Sequence, residues 1–274
     1  MERKDYIEST CCFDKSQWIK KPDTAAVPEK LSVPEIIKGL DALYEQGREG
    51  EAQLYLENWR QRAADCGDWR AELSILSELL GQYRRSGDGE KGIQAVDEAL
   101  ELIREHGMTD TVSGATVMLN AATTLKCFDQ AARSLGLFEH VSRVYSSKLD
   151  PMDYRFGGLY NNMALSLADM GDYDRAELYF KRAMAVIKSC PKPENELAVS
   201  LCNMAEMYGR QNMEDERIEQ CLDKAWELLN APGVVKDGYH AFTISKCAPC
   251  FDYFGYFIYA MELKKRAESI YESN

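Results

Sequence analysis

The sequence has little proline or glycine and no long apolar run. It contains 8 prolines and 18 glycines in 274 residues, so few positions interrupt regular secondary structure. Long stretches of alanine, leucine, glutamate, lysine and arginine with few β-branched residues favour helix. No apolar run reaches the ~18 residues of a membrane span. The charged start, Glu2 to Asp5, lacks the apolar centre of a signal peptide. We therefore expect a cytoplasmic, helical protein without a membrane partner.

Positive charge is also scarce. Lysine and arginine number 33 against 45 aspartates and glutamates, which gives a formal net charge of -12. The basic runs are short, such as Lys20-Lys21 and Lys264-Lys265-Arg266. Repulsion from a phosphate backbone therefore argues against nucleic acid as a partner unless a local basic face exists. The acidity favours solubility, and a preference for basic partners is the alternative.

One stretch, residues 159–185, contains two amphipathic patterns joined by a turn. Its first half places apolar residues at helical spacing, and Gly171-Asp172 can end that helix and cap the next. The second half resumes the same periodicity. Two short amphipathic helices with a tight turn pack antiparallel, and each still needs a neighbour to bury its remaining apolar surface. The positions that define the unit are Ala164, Leu167, Gly171, Tyr173, Ala176, Phe180 and Ala183.

This order of small, bulky and turn residues resembles the tetratricopeptide repeat family. The same pattern can be placed along the chain with six turn positions, spaced 40, 39, 45, 41 and 43 residues apart. These positions are Gly47, Gly87, Lys126, Gly171, Asn212 and Gly255. The units exceed the family's minimum of about 34 residues. Together with the run Asn161-Asn162-Met163-Ala164, this length resembles the kinesin-light-chain style of repeat.

The resemblance implies an all-α fold, a right-handed superhelical solenoid of about six antiparallel helix pairs. Residues 34–274 are expected to form this repeat domain. Residues 1–33 carry no repeat pattern, and we interpret them as an N-terminal arm that either docks on the first repeat or is a mobile tail.

In the resembling family, the first helices of successive repeats line a concave groove that binds extended peptides. Asn162 and Asn203 occupy equivalent places, and an amide can both donate to and accept from a peptide backbone. The alternative is that they belong to the fold's own pattern and face solvent. Arg84 could bind a carboxylate or be a solvated charge. The residues predicted to contact a peptide are Arg84, Asn120, Thr123, Asn161, Asn162, Asn203 and Glu206.

No catalytic or metal-binding pattern is evident in the sequence. The three histidines are far apart, and there is no glycine-rich phosphate loop. Cys247-Ala-Pro-Cys250 resembles a redox pair, but it falls inside a predicted helix without a surrounding βαβ pattern, and a zinc half-site would need a second ligand pair. We therefore expect packing cysteines in a reducing compartment, no enzyme activity, no cofactor and no metal.

The sequence thus predicts a non-enzymatic scaffold whose groove binds another protein or an extended peptide. Two alternatives stay open, a regulatory module that senses a short peptide and a thiol-redox protein using Cys247 and Cys250. Aromatic residues concentrate near the C-terminus, from Phe242 to Tyr259, and could serve self-association.

Overall fold

The computed structural model describes residues 30–273, and these residues form twelve α-helices and no β-strand. They divide into two compact units, residues 30–148 and residues 149–273. The first unit contains α1 (Val33–Glu45), α2 (Glu49–Asp65), α3 (Trp69–Ser86), α4 (Gly89–Glu105), α5 (Val112–Cys127) and α6 (Ala131–Lys148). The second contains α7 (Arg155–Asp169), α8 (Tyr173–Lys188), α9 (Glu194–Gln211), α10 (Glu216–Leu229), α11 (Gly238–Tyr253) and α12 (Phe257–Ser273).

The helices pack as consecutive pairs, α1 with α2 through α11 with α12. Within each unit the first helix of a pair also packs on the first helix of the next, as α3 does on α5 and α9 does on α11. The predicted all-α class with six helix pairs is therefore confirmed for the described residues. Among these residues no helix is long and apolar enough to cross a membrane.

The turns inside the pairs follow the predicted glycine positions in four of six cases. Gly47, Gly87, Gly171 and Gly255 have φ of 66°, 71°, 80° and 85°, in the left-handed region where a side chain would be strained. Aspartate then starts the next helix in two of these turns. Asp88 accepts a hydrogen bond from the backbone N–H of Lys91, and Asp172 accepts one from Arg175. The same two-residue signal therefore ends one helix and begins the next.

The other two predicted turn positions are wrong in detail. Lys126 lies buried within α5, and the left-handed residue is Asp129, with φ of 61°. Aspartate tolerates this conformation better than most side chains, so α5 continues past the predicted turn. Asn212 has φ of -157° and ψ of 118°, which is extended backbone. Since α9 ends without a left-handed residue, its turn needs additional residues before α10 begins at Glu216.

The core of the α7/α8 pair is formed by the small and bulky residues of the predicted unit. Ala164, Ala176 and Ala183 are buried at the helix contacts, and Leu167 and Phe180 fill the space around them. This alternation lets two helices approach closely while keeping the interior filled.

The predicted arm falls almost entirely outside the described residues, which begin at residue 30. Helix α1 begins at Val33, with Pro34 in its first turn, where proline's missing N–H needs no partner. The division into an arm of residues 1–33 and a single repeat domain of residues 34–274 stays a prediction.

Candidate functional site

The predicted asparagines of the second unit meet between α7 and α9. Nδ2 of Asn203 donates a hydrogen bond of 3.4 Å to Oδ1 of Asn161. Both side chains are buried, with exposed fractions of 3% and 1%. The two residues lie one repeat apart in sequence, so their contact exists only because successive first helices stack.

The nitrogen of the Asn161 side-chain amide lacks a hydrogen-bond acceptor. Its Nδ2 is buried and has no hydrogen-bond partner. A buried donor without an acceptor costs about 1–3 kcal/mol. Neighbouring Asn162 is equally buried, with an exposed fraction of 1%. Asn162 and Asn203 are therefore both buried, whereas the alternative interpretation of these two residues placed them in solvent.

Three predicted residues of the first unit form a second cluster, between α3 and α5. Nδ2 of Asn120 donates to Oγ of Ser77 at 2.9 Å. The Arg84 guanidinium donates to Oγ1 of Thr124 at 2.8 Å and to the backbone carbonyl of Asn120 at 3.4 Å. Thr123 bonds the Leu119 carbonyl of its own helix at 2.8 Å. Arg84 is therefore held by α5 and is not a solvated charge.

Glu206 is half-buried on α9 in the second unit. Its negative charge contributes to a raised pKa of the thiols of Cys247 and Cys250 on α11, after larger contributions from Cys202 and burial. At the end of the same helix, the Arg210 guanidinium contacts Oδ1 of Asp169 at 2.6 Å, an ion pair to α7. The sequence analysis did not identify this pair.

Further contacts between repeats escaped the sequence analysis. Nδ1 of His240 lies 2.8 Å from Oδ1 of Asn195, and the Tyr239 hydroxyl donates to the Glu196 carboxylate, both joining α11 to α9. The partners are 45 and 43 residues apart. A polar residue recurring at the repeat period on a first helix is the signal that could have identified them.

The second helices are connected by ion pairs at their surface. In the first unit the Lys91 ammonium contacts the Glu57 carboxylate at 2.9 Å, joining α4 to α2. In the second unit the Arg217 guanidinium contacts the Glu177 carboxylate at 3.0 Å, joining α10 to α8. Exposed pairs of this kind contribute only about 0–1 kcal/mol each, so they add little to the stability of the fold.

A cleft of about 260 Å³ lies among α2, α3 and α4 of the first unit. Its charged lining is internally paired. Besides the Lys91 contact, Glu57 accepts a hydrogen bond of 3.1 Å from the Tyr83 hydroxyl, and Arg60 contacts Glu98 at 2.9 Å. Burial raises the pKa of Glu57, but the hydrogen bonds from Lys91, Gln53 and Tyr83 outweigh it and the net pKa is lowered. These charges neutralise one another, which leaves no net charge to attract an ionic ligand.

The Cys247/Cys250 pair lies in the interior of α11, and the helix runs through Pro249. Both thiols are buried, and the Cys250 thiol lies 3.6 Å from the backbone carbonyl of Cys202 on α9. Within residues 30–273 there is no cluster of three or more histidine, cysteine, aspartate or glutamate residues arranged to hold a metal ion.

The C-terminal aromatic residues divide into packed and exposed groups. Trp226 stacks on Tyr259 with ring centroids 4.1 Å apart, and Phe251 is buried beside them. Tyr253 and Phe257 are exposed, together with Ile258 and Met261 of α12. Self-association through this region stays a prediction.

The comparisons with known proteins agree with this arrangement of helices. The family model described as tetratricopeptide repeat matches residues 156–220, the stretch from α7 into α10. Residues 156–220 are therefore similar to tetratricopeptide repeats. Repeats of this family are generally non-enzymatic scaffolds for protein interactions. No sequence relative was found among curated proteins.

Solved structures extend the likeness to more of the chain. Nearly identical TPR-like repeats named for a kinesin light chain of Podosopora anserina superpose with a TM-score of 0.51 at 13% identity, covering 72% of this chain and 94% of that one. BtubC (BKLC) from P. vanneervenii superposes with a TM-score of 0.52 at 15% identity, covering 89% of this chain and 92% of that one. The predicted resemblance to tetratricopeptide repeats in the kinesin-light-chain style is therefore confirmed at the level of the fold.

Proposed function

We propose that this protein is a scaffold whose first helices bind an extended segment of a partner protein. In the second unit the contact residues are Asn161, Asn162, Asn203 and Glu206. In the first unit they are Arg84, Asn120 and Thr123. The proposal assigns no catalytic step, cofactor or metal to the protein, and it excludes nucleic acid as the partner.

The unsatisfied Nδ2 of Asn161 is the observation that supports this function best. Native proteins rarely retain a buried donor without an acceptor unless it has a use. An extended peptide offers a carbonyl acceptor at every residue. A bound segment could therefore supply the missing acceptor and recover part of the cost of burying the amide.

The burial of these side chains affects the expected rate of association with a partner. A partner reaches Asn161 and Asn203 only after the atoms covering them move. Association that requires such a rearrangement is slower than the usual range of about 10⁵–10⁷ M⁻¹ s⁻¹. We therefore expect slow association, with affinity determined by slow dissociation.

A random-sequence peptide library displayed on phage, selected on the full chain, tests the proposal. Selected peptides should bind the wild-type protein and should lose at least about tenfold in affinity to the Asn161→Leu variant, whose side chain has a similar shape but no amide. The matched control is Asn230→Leu, since Asn230 lies at the end of α10 and contacts Trp226 and Arg266.

Two results would contradict the proposal. One is selection of peptides whose affinity is unchanged by Asn161→Leu and by Arg84→Leu. The other is a similar loss of affinity in the Asn230→Leu control, which would place the binding surface on the second helices.

A further inference from the structure

Helices α7 and α9 of the second unit run in the same direction. Asn161 contacts Asn203, which lies 42 residues further along the chain. Nearer the ends of the two helices, Asp169 contacts Arg210, which lies 41 residues further along. Because the two contacts have nearly the same separation in sequence, α7 and α9 are parallel and their C-terminal ends lie side by side.

The C-terminal ends of α9 and α11 also meet. The hydroxyl of Tyr253, the last residue of α11, lies 4.0 Å from the sulfur of Met213, which follows the end of α9. The Phe254 ring lies beside Gly209, where an added Cβ would be 2.8 Å from it. The ends of α7, α9 and α11 therefore form one edge of the second unit, where each first helix turns into its second helix.

An exposed apolar side chain lies at each turn of this edge. Met170 lies in the α7–α8 turn, Met213 lies in the α9–α10 turn, and Tyr253 and Phe257 flank the α11–α12 turn. Their exposed fractions run from 51% to 68%. Single exposed apolar residues are ordinary on a protein surface, but a row across three helix pairs is typical of an interaction site. We call these four residues the apolar edge.

The charge around the apolar edge is negative. The arginines of these turns are already held by carboxylates at 2.6 to 3.1 Å, in the pairs Arg210–Asp169, Arg175–Asp172 and Arg217–Asp215. Within residues 149–273, no ion pair neutralises four further exposed acids in or beside the same turns, namely Asp174, Glu214, Glu216 and Asp252. The edge should therefore attract a positively charged partner.

We propose that the apolar edge binds a basic amphipathic helix of a partner protein. Such a helix presents apolar side chains on one face with lysine and arginine beside them, which complements both the exposed apolar row and the acids around it. The flexible side chains of Met170 and Met213 can adapt to its apolar residues. Two copies of this chain joined edge to edge would bring like charges together, and an anionic membrane surface would be repelled.

This surface is separate from the proposed peptide-binding residues. Asn161 precedes Asp169, at the end of α7, by about 12 Å of helix. The apolar edge is also exposed, whereas Asn161 and Asn203 are buried. Binding at the edge therefore does not depend on the function proposed for the first helices, and the two can fail independently.

The test measures binding of a fluorescently labelled synthetic peptide to the full chain by fluorescence anisotropy. The peptide has about 18 residues of leucine and lysine in the order of an amphipathic helix. One comparison peptide has glutamate in place of lysine, and another has the same composition in an order that breaks the apolar face. We expect the first peptide to bind at least about tenfold more tightly than either comparison. Equal affinity for the reordered peptide would overturn the proposal, because charge alone would then explain the binding.

Variants locate the binding surface. Met213→Gln/Phe257→Gln, which changes no charge, should lower the affinity for the first peptide at least about tenfold. The matched control is Met152→Gln/Leu178→Gln, since both residues are exposed in the same unit but lie outside the edge. An equal loss in this control would overturn the proposal, as would a loss in Asn161→Leu, which would place the peptide on the first helices.

Sedimentation equilibrium without peptide tests the other occupant, a second copy of the chain. We expect the wild-type protein and Met213→Gln/Phe257→Gln to have the same oligomeric state. A wild-type dimer that dissociates in this variant would overturn the proposal, because the edge would then join two copies. The three peptides are compared on the wild-type chain, so the proposal can be rejected even if a variant does not fold.

Discussion

His240 donates its Nδ1–H to Oδ1 of Asn195 at 2.8 Å, and this contact joins α11 to α9 inside the second unit. The other ring nitrogen, Nε2, is buried without a hydrogen-bond partner. A proton on Nε2 would therefore create a buried charge with no acceptor. Burial first, and then the positive charge of Arg266, lower the pKa of His240. The negative charge of Asp237 opposes them, and the positive charge of Lys236 adds a smaller lowering.

Stability should consequently fall as the pH decreases below about 6.5, the ordinary histidine pKa. The unfolded chain takes up the proton at that pH, whereas the folded chain resists it until its own lower pKa is reached. The contribution is fully present above the unfolded pKa and is lost progressively below it. Urea unfolding at about pH 7.5 and about pH 5.5 measures the difference.

Two histidine variants test whether His240 causes this pH dependence. His240→Asn should reduce the difference in unfolding free energy between the two pH values. His106→Asn, at an exposed residue that stacks on Trp69, should retain it. An equal pH dependence in the wild-type and His240→Asn proteins would disprove the assignment.

Replacing both asparagines of the α7–α9 contact should leave the fold intact. The Asn161→Leu/Asn203→Leu variant removes both partners of a long hydrogen bond and the unsatisfied donor, so its unfolding free energy should stay within about 1 kcal/mol of wild type or increase. By contrast, Asn120→Leu breaks the 2.9 Å bond to Ser77 and should lose about 1 kcal/mol. Chemical denaturation compares them. A loss above about 2 kcal/mol in the double variant would mean that the amides stabilise the fold.

Two glycines should respond to alanine in opposite directions. A Cβ on Gly114 would lie 2.1 Å from the backbone carbonyl oxygen of Met108, so Gly114→Ala should destabilise the protein by about 1–3 kcal/mol. A Cβ on Gly136 meets nothing within 4 Å, and this exposed residue lies within α6. Gly136→Ala should therefore stabilise it by about 0.5–1 kcal/mol. Thermal unfolding of both variants checks the signs.

The carboxylate of Asp153 should stabilise the protein at the start of α7. It accepts hydrogen bonds from the backbone N–H of Arg155 at 3.0 Å and from its guanidinium at 2.8 Å, and both side chains are largely buried. Asp153→Ala should cost about 3 kcal/mol because it removes the counter-charge of a buried guanidinium. Glu51→Ala, which removes the exposed partner of Arg48, should leave the urea midpoint unchanged.

Much of the fold was predictable because its signals are local. Ala164, Leu167 and Phe180 were predicted core residues of α7/α8 and are buried there, since small and bulky residues at fixed spacing determine how two helices approach. The prediction was wrong at Lys126 and Asn212, where the turn has no glycine and its position depends on how far the preceding helix extends. Neither turn position holds a residue that requires one backbone conformation. The local sequence therefore does not determine the length of the preceding helix.

The placement of the candidate residues on first helices was predictable, but their surroundings were not. Asn161 and Asn203 were correctly placed on first helices, yet their mutual contact and their burial were not anticipated. Likewise, Cys247 and Cys250 were recognised as a pair, while the contact of the Cys250 thiol with the Cys202 carbonyl was not anticipated. In each case the missing partner comes from the neighbouring repeat.

The sequence by itself determined that the chain forms paired helices and where most of the turns lie. It also determined which residues fill the interior of each helix pair. These features depend on neighbours within a few helical turns. Only the tertiary structure decided which polar and sulfur atoms meet across repeats. Such partners are separated by about 40 residues or more, as in the Asn161–Asn203 contact. They meet only when stacking fixes the rotation of each helix about its axis and its register on the next, and neither is specified by local sequence pattern.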